Sequence, residues 1–417
     1  MVLHSAAEMM RVNPTPPALL LHRLPGRRTV SAGVWLLHGA AHDPAPRAGA
    51  THLVEHLTLR RCGGRDRTEL ARLVDRLGGS VDAWTGAEAM GLSIETTSDA
   101  LPEALDLLLD ATLDPTFDAD DVALEKRVAL AEMELVRSDP EDRVEEALLT
   151  AAWGDHPLAR PIIGSEQTVR RLTPTALRRH HAALLRPGGV LAAVVGDVDP
   201  AAVSRRLGRL PLAAPIEPLP LPPLRWMGGA VNLEWTAGDQ VYARLAFPTE
   251  GFAAPGREIT AVLNRTLGVG ASSRLFQRLR EDAGLTYDIF SSLVLRRQGG
   301  FLEVGWTSSA DVFSESWRLV RDELAAFPDG LTDEDVEVAV EATVRGLLMD
   351  AEEPSSRCGL EAAEVLELGR PFDLERVIGE IRTVSPPAVR EAARTVLRPE
   401  RTASAVCGPQ GVTEQVA

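Results

Sequence analysis

The sequence predicts an α+β protein made of two homologous domains that arose by internal duplication. At 417 residues the chain is too long for one ordinary hydrophobic core. The segment from Thr173 to Gly196 resembles the segment from Ser385 to Gly408, at a constant offset of 212 residues. A second match pairs Asp121 with Asp335, two residues out of that register. Such self-similarity indicates a repeated unit of about 200 residues.

A proline-rich segment divides the chain almost in half. Six prolines lie within residues 211–225, a composition typical of an extended, semi-rigid linker. We therefore predict a first domain at 1–212, a linker at 213–225 and a second domain at 226–417.

Hydrophobic patterns bounded by glycine and proline place the elements of the first half. Gly78-Gly79 suits a helix C-terminus, and Val81, Trp84, Leu92 and Ile94 suggest paired strands. The predicted elements are a strand at 30–38, helices beginning near 49–51 and at 68–77, paired strands within 80–97, helices at 101–113, 118–137, 142–153 and after Pro174, and a strand at 190–195. In helix 118–137 the apolar positions Leu124, Val128, Leu130 and Leu135 predict the buried side.

Composition excludes several classes of function. The net charge of −16 argues against nucleic-acid binding, which needs a basic surface. No apolar run approaches the roughly 20 residues of a membrane-spanning helix, and Glu8 and Arg11 interrupt any leader-like segment. The three cysteines are far apart and predict neither a disulfide framework nor a cysteine metal site. We therefore expect a cytoplasmic protein without membrane or nucleic-acid partners.

The main chemical signal is the pentad His52-Leu53-Val54-Glu55-His56. On a helix, residues four apart lie on one face, so both imidazoles can reach one metal ion. Glu55 projects close to the pair without having to be a ligand. The H-x-x-E-H order occurs among zinc metallopeptidases. The alternative is two solvated histidines on a helix.

A catalytic zinc needs a third protein ligand and one open position. In the predicted helix 118–137, Glu125 and Glu132 are seven apart and share a face. Glu132 as ligand and Glu125 as partner of a ligand histidine would be a sensible pair. Composition alone cannot select these two from 60 acidic residues, and a charged helix face is the commoner meaning of such a stretch.

His38 and His42 are also four apart. Gly39, Asp43 and Pro44 predict a turn there, where helical spacing has no meaning. The sequence therefore predicts no second metal site at this pair.

The pentad, its spacing to Glu132 and the surrounding sequence resemble the insulinase/pitrilysin family of zinc metallopeptidases. The likeness extends over about residues 20–410. The positions that fall where the family has similar residues are Gly39, Asp43, Gly78-Gly79, Asp82 to Thr85, Glu125 to Glu132, His156-Pro157-Leu158 and Gly164. Asp82 stands where the family usually has asparagine at a substrate-contacting position, and Arg60-Arg61 replace a more apolar run. These departures bear on substrate preference.

The resemblance implies one Zn²⁺ per chain, held by His52, His56 and Glu132. It implies that Glu55 is the general base and acid, and that Glu125 orients a ligand histidine. It also implies that each domain has an antiparallel-rich sheet with packed helices and that the chain forms half of a clamshell.

The second half lacks a copy of the pentad but contains Arg280 and Tyr287, which flank a turn at Gly284. By composition these two residues are a solvated arginine and a strand aromatic. Ser272 to Gly284 predicts a short helix, with a strand from Tyr287. The resemblance implies instead that Arg280 holds a substrate carbonyl and Tyr287 donates to the developing oxyanion across a closed chamber.

The expected function is therefore zinc-dependent cleavage of small unfolded peptides, added as a strand near Asp82–Thr85, with leader or precursor peptides as a specialised class of substrate. The resemblance implies a homodimer or a heterodimer with a paralogue. The alternative is a non-catalytic scaffold or partner subunit of a peptidase of the same family. Such a chain would be expected to have lost Glu55 or a ligand.

Overall fold

The computed structural model describes residues 18–213 and 216–412, which form two compact units. The first unit contains 18–133, the described part of 161–221, and 349–372. The second contains 134–160, 222–348 and 373–412. The chain thus changes unit inside the predicted linker, between Leu221 and Pro222, and also at four other points. Among the described residues, no helix is both long and apolar enough to cross a bilayer.

The first unit is built on a five-stranded mixed sheet. Its strands are β1 (Leu19–Arg23), β2 (Thr29–Leu36), β3 (Ser80–Thr85), β4 (Met90–Thr97) and β5 (Val190–Gly196). They are arranged in the order β1-β5-β2-β4-β3. Only the β1–β5 pairing is parallel, and the other three pairings are antiparallel. β3 is therefore an edge strand of this sheet.

The described residues of the first half of the sequence, 18–213, contain eight α-helices. They are α1 (Ala50–Thr58), α2 (Arg67–Leu77), α3 (Leu101–Leu113), α4 (Ala119–Ser138), α5 (Pro140–Trp153), α6 (Glu166–Arg171), α7 (Pro174–Leu184) and α8 (Pro200–Leu207). Gly78 ends α2 in the left-handed conformation, as its glycine predicts. β1, α6 and α8, which are all short, were not predicted from the sequence.

The second unit contains a sheet of the same design. Its strands are β6 (Ala230–Glu234), β7 (Gln240–Thr249), β8 (Asp288–Leu295), β9 (Gly300–Ser309) and β10 (Ala403–Gly408), in the order β6-β10-β7-β9-β8. The remaining helices are α9 (Arg257–Gly268), α10 (Phe313–Gly330), α11 (Asp333–Glu352), α12 (Pro354–Leu368), α13 (Leu374–Arg382) and α14 (Pro386–Val396). The predicted helix before Gly284 forms as a π-helix, Phe276–Asp282.

The two sheets correspond strand by strand, and again only the β6–β10 pairing is parallel. α14 begins 212 residues after α7, and α11 begins 214 residues after α4, as the two sequence registers predict. This correspondence confirms the predicted α+β fold with two homologous units.

Each unit also contains one helix from the other half of the sequence. α12 covers one face of the first sheet, where Cys358, Ala362 and Val365 pack against Leu191 and Val195 of β5. The alternate β5 residues, Val190, Ala192 and Val194, belong to the main core on the opposite face. β5 is therefore buried on both faces, since successive side chains of a strand point to opposite sides. Likewise, α5 packs on β10 and β7 of the second unit.

The prediction for the buried side of α4 was only partly correct, because Leu130 packs against the core but Val128 and Leu135 do not. Leu135 is 68% exposed and Val128 is 37% exposed. The buried face instead carries Val122, Glu125, Ala129 and Met133, which recur at spacings of three and four. Glu125 therefore points toward the interior of the first unit, where an apolar side chain is more common.

Candidate metal centre

Helix α1 places the two histidines of the pentad side by side. Leu53, Val54 and Leu57 are fully buried in the core of the first unit, which fixes the rotation of the helix about its axis. His52 and His56 lie on the adjacent, half-buried face with their ring centroids 4.5 Å apart. The helix is anchored there because its core-facing residues are large and apolar.

Gly49 lets the start of α1 lie close to the backbone of Ile163, in another segment of the same chain. It has φ of +87°, and a Cβ atom at this position would lie 2.3 Å from the carbonyl oxygen of Ile163. Only glycine accommodates both the conformation and the contact.

Glu132 of α4 completes a group of three metal-binding side chains. Its Oε2 lies 3.5 Å from Nε2 of His56 and 3.9 Å from Nε2 of His52. Zinc bonds of about 2.0 to 2.1 Å in tetrahedral geometry place neighbouring donor atoms about 3.4 Å apart. The three side chains therefore converge closely enough to hold a zinc ion.

Glu125 holds His56 in the orientation that a ligand needs. Nδ1 of His56 lies 3.1 Å from Glu125 Oε2. If that nitrogen donates its hydrogen to the carboxylate, the lone pair of Nε2 is left facing Glu132 and an ion. In the part of the chain that the structure describes, the corresponding Nδ1 of His52 is buried without a hydrogen-bond partner.

Arg60 is a positioning residue that the sequence analysis did not identify. Its Nη1 donates to Glu125 Oε1 at 2.5 Å, and its Nε donates to Asp121 Oδ1 at 2.9 Å. Arg61 also pairs with Asp121, at 2.9 Å. Arg60-Arg61 were expected to bear on substrate preference, but the guanidinium of Arg60 contacts the carboxylate that holds His56. Asp121 lies four residues before Glu125 on α4, which was the only signal in the sequence for this arrangement.

Glu55 lies in a pocket that favours its protonated form. Burial raises the pKa of its carboxyl to about 7, although the hydrogen bond from Thr85 Oγ1 to Oε2, 2.9 Å long, opposes this shift. A carboxyl with such a pKa can accept and release a proton near neutral pH. Burial and the neighbouring His56 lower the pKa of His52 to about 4, so His52 is neutral, which is the form that binds metal.

The remaining predicted residues lie elsewhere. Asp82 is an exposed residue of the edge strand β3, three positions before Thr85. Arg280 and Tyr287 belong to the second unit, whereas the other predicted site residues belong to the first. The guanidinium of Arg280 lies 5.2 Å from the ring centroid of Tyr287 and 4.8 Å from that of Phe276. Tyr287 is 84% exposed.

Comparison with protein families gives matches over both halves of the chain. A model described as insulinase (peptidase family M16) matches residues 19–166, which include the pentad and Glu132. A model described as the peptidase M16 inactive domain matches residues 171–343, where no pentad occurs.

Relatives and solved structures resemble the chain along nearly its whole length. An uncharacterized zinc protease of Mycobacterium tuberculosis (strain ATCC 25618 / H37Rv) is 32% identical over 395 residues, 93% of this chain and 90% of the relative. The uncharacterized zinc protease YmxG of Bacillus subtilis (strain 168) is 28% identical over 399 residues, 94% of this chain and 96% of the relative.

Two solved structures show the same fold. A protease from Helicobacter pylori has a TM-score of 0.85 at 16% identity, covering 96% of this chain and 99% of that chain. A peptidase M16 inactive domain from Pseudomonas fluorescens has a TM-score of 0.84 at 21% identity, covering 94% of this chain and 95% of that chain.

Proposed function

Because the chain belongs to the insulinase family of peptidases, M16, we propose that it is a zinc-dependent endopeptidase that cleaves small unfolded peptides. The observation that carries this proposal is the convergence of His52, His56 and Glu132 beside the half-buried carboxyl of Glu55. A chain that served only as a scaffold would have no need to keep all four residues.

In the proposed mechanism His52, His56 and Glu132 hold the ion, and Glu125 fixes the orientation of His56. When bound, zinc would polarise the scissile carbonyl and lower the pKa of a water molecule. Glu55 takes the proton from the attacking water and passes it to the leaving amine. Thr85 supports this role by donating to one oxygen of Glu55, which leaves the other oxygen for the water.

The substrate is proposed to add as a strand to the outer edge of β3. This edge faces no further strand within the described residues, and Thr85 at its end contacts Glu55. Asp82 lies on the same strand and contributes to the electrostatic environment of Glu55. A negative charge at this edge favours peptides with basic side chains near the cleavage site.

Arg280 and Tyr287 are proposed to bind the substrate as well. The Tyr287 side chain is exposed, so its hydroxyl is accessible to an oxyanion, and Arg280 can donate to a substrate carbonyl. We propose that the chain works as a dimer, either with itself or with a paralogue. Processing of leader or precursor peptides is a specialised form of this activity that we also propose.

The test is incubation of the purified chain with a mixture of unstructured basic and acidic peptides, followed by mass spectrometry. Glu55→Gln should lower the rate by about 10²- to 10⁴-fold, because it removes the proton-transfer group while the zinc content stays unchanged. Glu134→Gln is the matched control, since Glu134 is an exposed glutamate of α4. A chelator should stop cleavage, and zinc should restore it.

If the wild-type chain loaded with zinc cuts no peptide, the self-sufficient homodimer is refuted. The alternative, a non-catalytic scaffold or a partner subunit, would then be tested by adding a paralogous chain. Cleavage by the Glu55→Gln variant at the wild-type rate would refute the role of Glu55.

A further inference from the structure

A second group of metal-binding side chains lies apart from the proposed zinc ligands. His38 follows β2, Asp43 lies before α1, and His180 is in α7. Oδ1 of Asp43 lies 3.3 Å from Nε2 of His180 and 3.7 Å from Nε2 of His38. The side chain of Asp43 is completely buried, and those of His180 and His38 are 5% and 12% exposed.

These spacings match those of the proposed zinc ligands. There, the carboxylate oxygen lies 3.5 and 3.9 Å from the two imidazole nitrogens. In both groups the distances are close to the roughly 3.4 Å that separates neighbouring donors in a tetrahedral zinc site. The donor set of two imidazoles and one carboxylate is also the same.

Thr51 holds two of these side chains in place and does not contact the ligand atom of His38. Nε2 of His180 lies 2.8 Å from the hydroxyl oxygen of Thr51, a contact that a bound ion would replace. Thr51 donates to Asp43 through both its hydroxyl, at 2.6 Å, and its backbone nitrogen, at 3.2 Å. Nε2 of His38 is buried and has no hydrogen-bond partner within the described residues. A buried polar atom without a partner is costly, so this nitrogen has the character of an unused ligand atom.

His42 does not belong to the group, although it is four residues after His38. Its Nδ1 accepts a hydrogen bond from the backbone of Gly39 at 3.2 Å, and its Nε2 lies 3.3 Å from the carbonyl of Leu219. Both ring nitrogens of His42 are therefore engaged. The imidazole that partners His38 is instead His180, from a distant part of the sequence.

We propose that His38, Asp43 and His180 form a second site for a divalent transition-metal ion, most suitably zinc. The site joins the segment before α1 to α7, so an ion there would fix the start of the helix that carries His52 and His56. Imidazole and carboxylate donors suit zinc, cobalt and nickel better than magnesium.

The test separates the two sites by variants and counts metal ions, so it does not depend on peptidase activity. His52→Gln combined with Glu132→Gln removes two ligands of the first site and leaves the second site unchanged. The chain is stripped with a chelator, reloaded with zinc, desalted and analysed for zinc by mass spectrometry. We expect two zinc ions per wild-type chain and one per chain of the double variant. Loading with cobalt and recording its visible spectrum reports the coordination geometry.

Addition of His38→Gln to the double variant should remove the remaining zinc. The matched control is His42→Gln in the same background, which should keep it because His42 is not a ligand. Far-ultraviolet circular dichroism checks that each variant is folded. Absence of zinc from the folded double variant would overturn the proposal and leave a hydrogen-bonded ion cluster. Retention of zinc after His38→Gln would also overturn it.

Discussion

Replacement of Arg60 tests how the metal centre is supported. Arg60→Met keeps much of the aliphatic stem but removes the guanidinium that bridges Glu125 and Asp121, at 2.5 and 2.9 Å. Glu125 then loses the contact that holds it against Nδ1 of His56. We expect zinc to bind more weakly, because partners of metal ligands fix the ligand's orientation and basicity.

The expected loss of zinc affinity is moderate because Arg60 reaches the ligand His56 only through Glu125. Loss of a group that supports a ligand costs about 10- to 100-fold in metal affinity, or about 1.4 to 2.8 kcal/mol. The side chains of Glu125 and Asp121 are only 9% and 7% exposed, so two mostly buried carboxylates also lose the cation that they share. Loss of one partner of a buried pair costs about 3 to 5 kcal/mol, and solvent access to Arg60, which is 15% exposed, reduces this figure.

Zinc affinity is measured by competition with a chelator of known affinity, and stability by urea unfolding of the metal-free chain. Arg61→Met is the matched control, because Arg61 is 43% exposed and pairs with Asp121 and Asp118 rather than Glu125. Arg60→Lys should restore only part of the affinity, since an ammonium cannot bridge two carboxylates as a planar guanidinium does. An unchanged zinc affinity in folded Arg60→Met would refute the reasoning.

Two further predictions concern a proposed substrate contact and a buried ion pair of α12. Tyr287→Phe should lower kcat by about 10²-fold, as expected for loss of an oxyanion donor, and should leave the melting temperature unchanged because this residue is 84% exposed. Equal kcat values for the two proteins would contradict that role. Arg357→Met should lower the free energy of unfolding by about 3 kcal/mol, because it leaves Glu361, buried beside His22, without its cation at 2.9 Å. Urea unfolding measures this loss, with Arg376→Met of a more exposed pair as control, and equal losses in the two variants would contradict it.

The sequence predicted most of the long elements because their signals are local. α2, α3 and α4 begin and end within one residue of the predicted bounds, and α1 begins inside the predicted range 49–51, where glycine, proline and capping residues mark the termini. The buried face of α4 was predicted only in part because Leu135 is more apolar than Ala129, and yet Leu135 is exposed and Ala129 is buried. Packing overrode that signal, since the face toward the core must also hold Glu125.

The sequence did not predict that α5 belongs to the second unit and α12 to the first. Both helices follow long helices across a short turn, and their amphipathic patterns do not specify which sheet they cover. The contacts of Trp153 with Phe301 and of Cys358 with Ala193 join residues 148 and 165 positions apart. Only the tertiary structure determines contacts of this range.

The sequence by itself determined the α+β class, the duplication and the pairing of His52 with His56. These depend on composition, on self-similarity and on the geometry of one helical turn, all of which can be read along the chain. The tertiary structure decided what surrounds that pair. In the folded chain Arg60 contacts Glu125, 65 residues away, and Thr51 contacts His180, 129 residues away. The physical reason is that such contacts are fixed by the packing of helices on a sheet, whereas hydrophobic periodicity specifies only which face of each helix is buried.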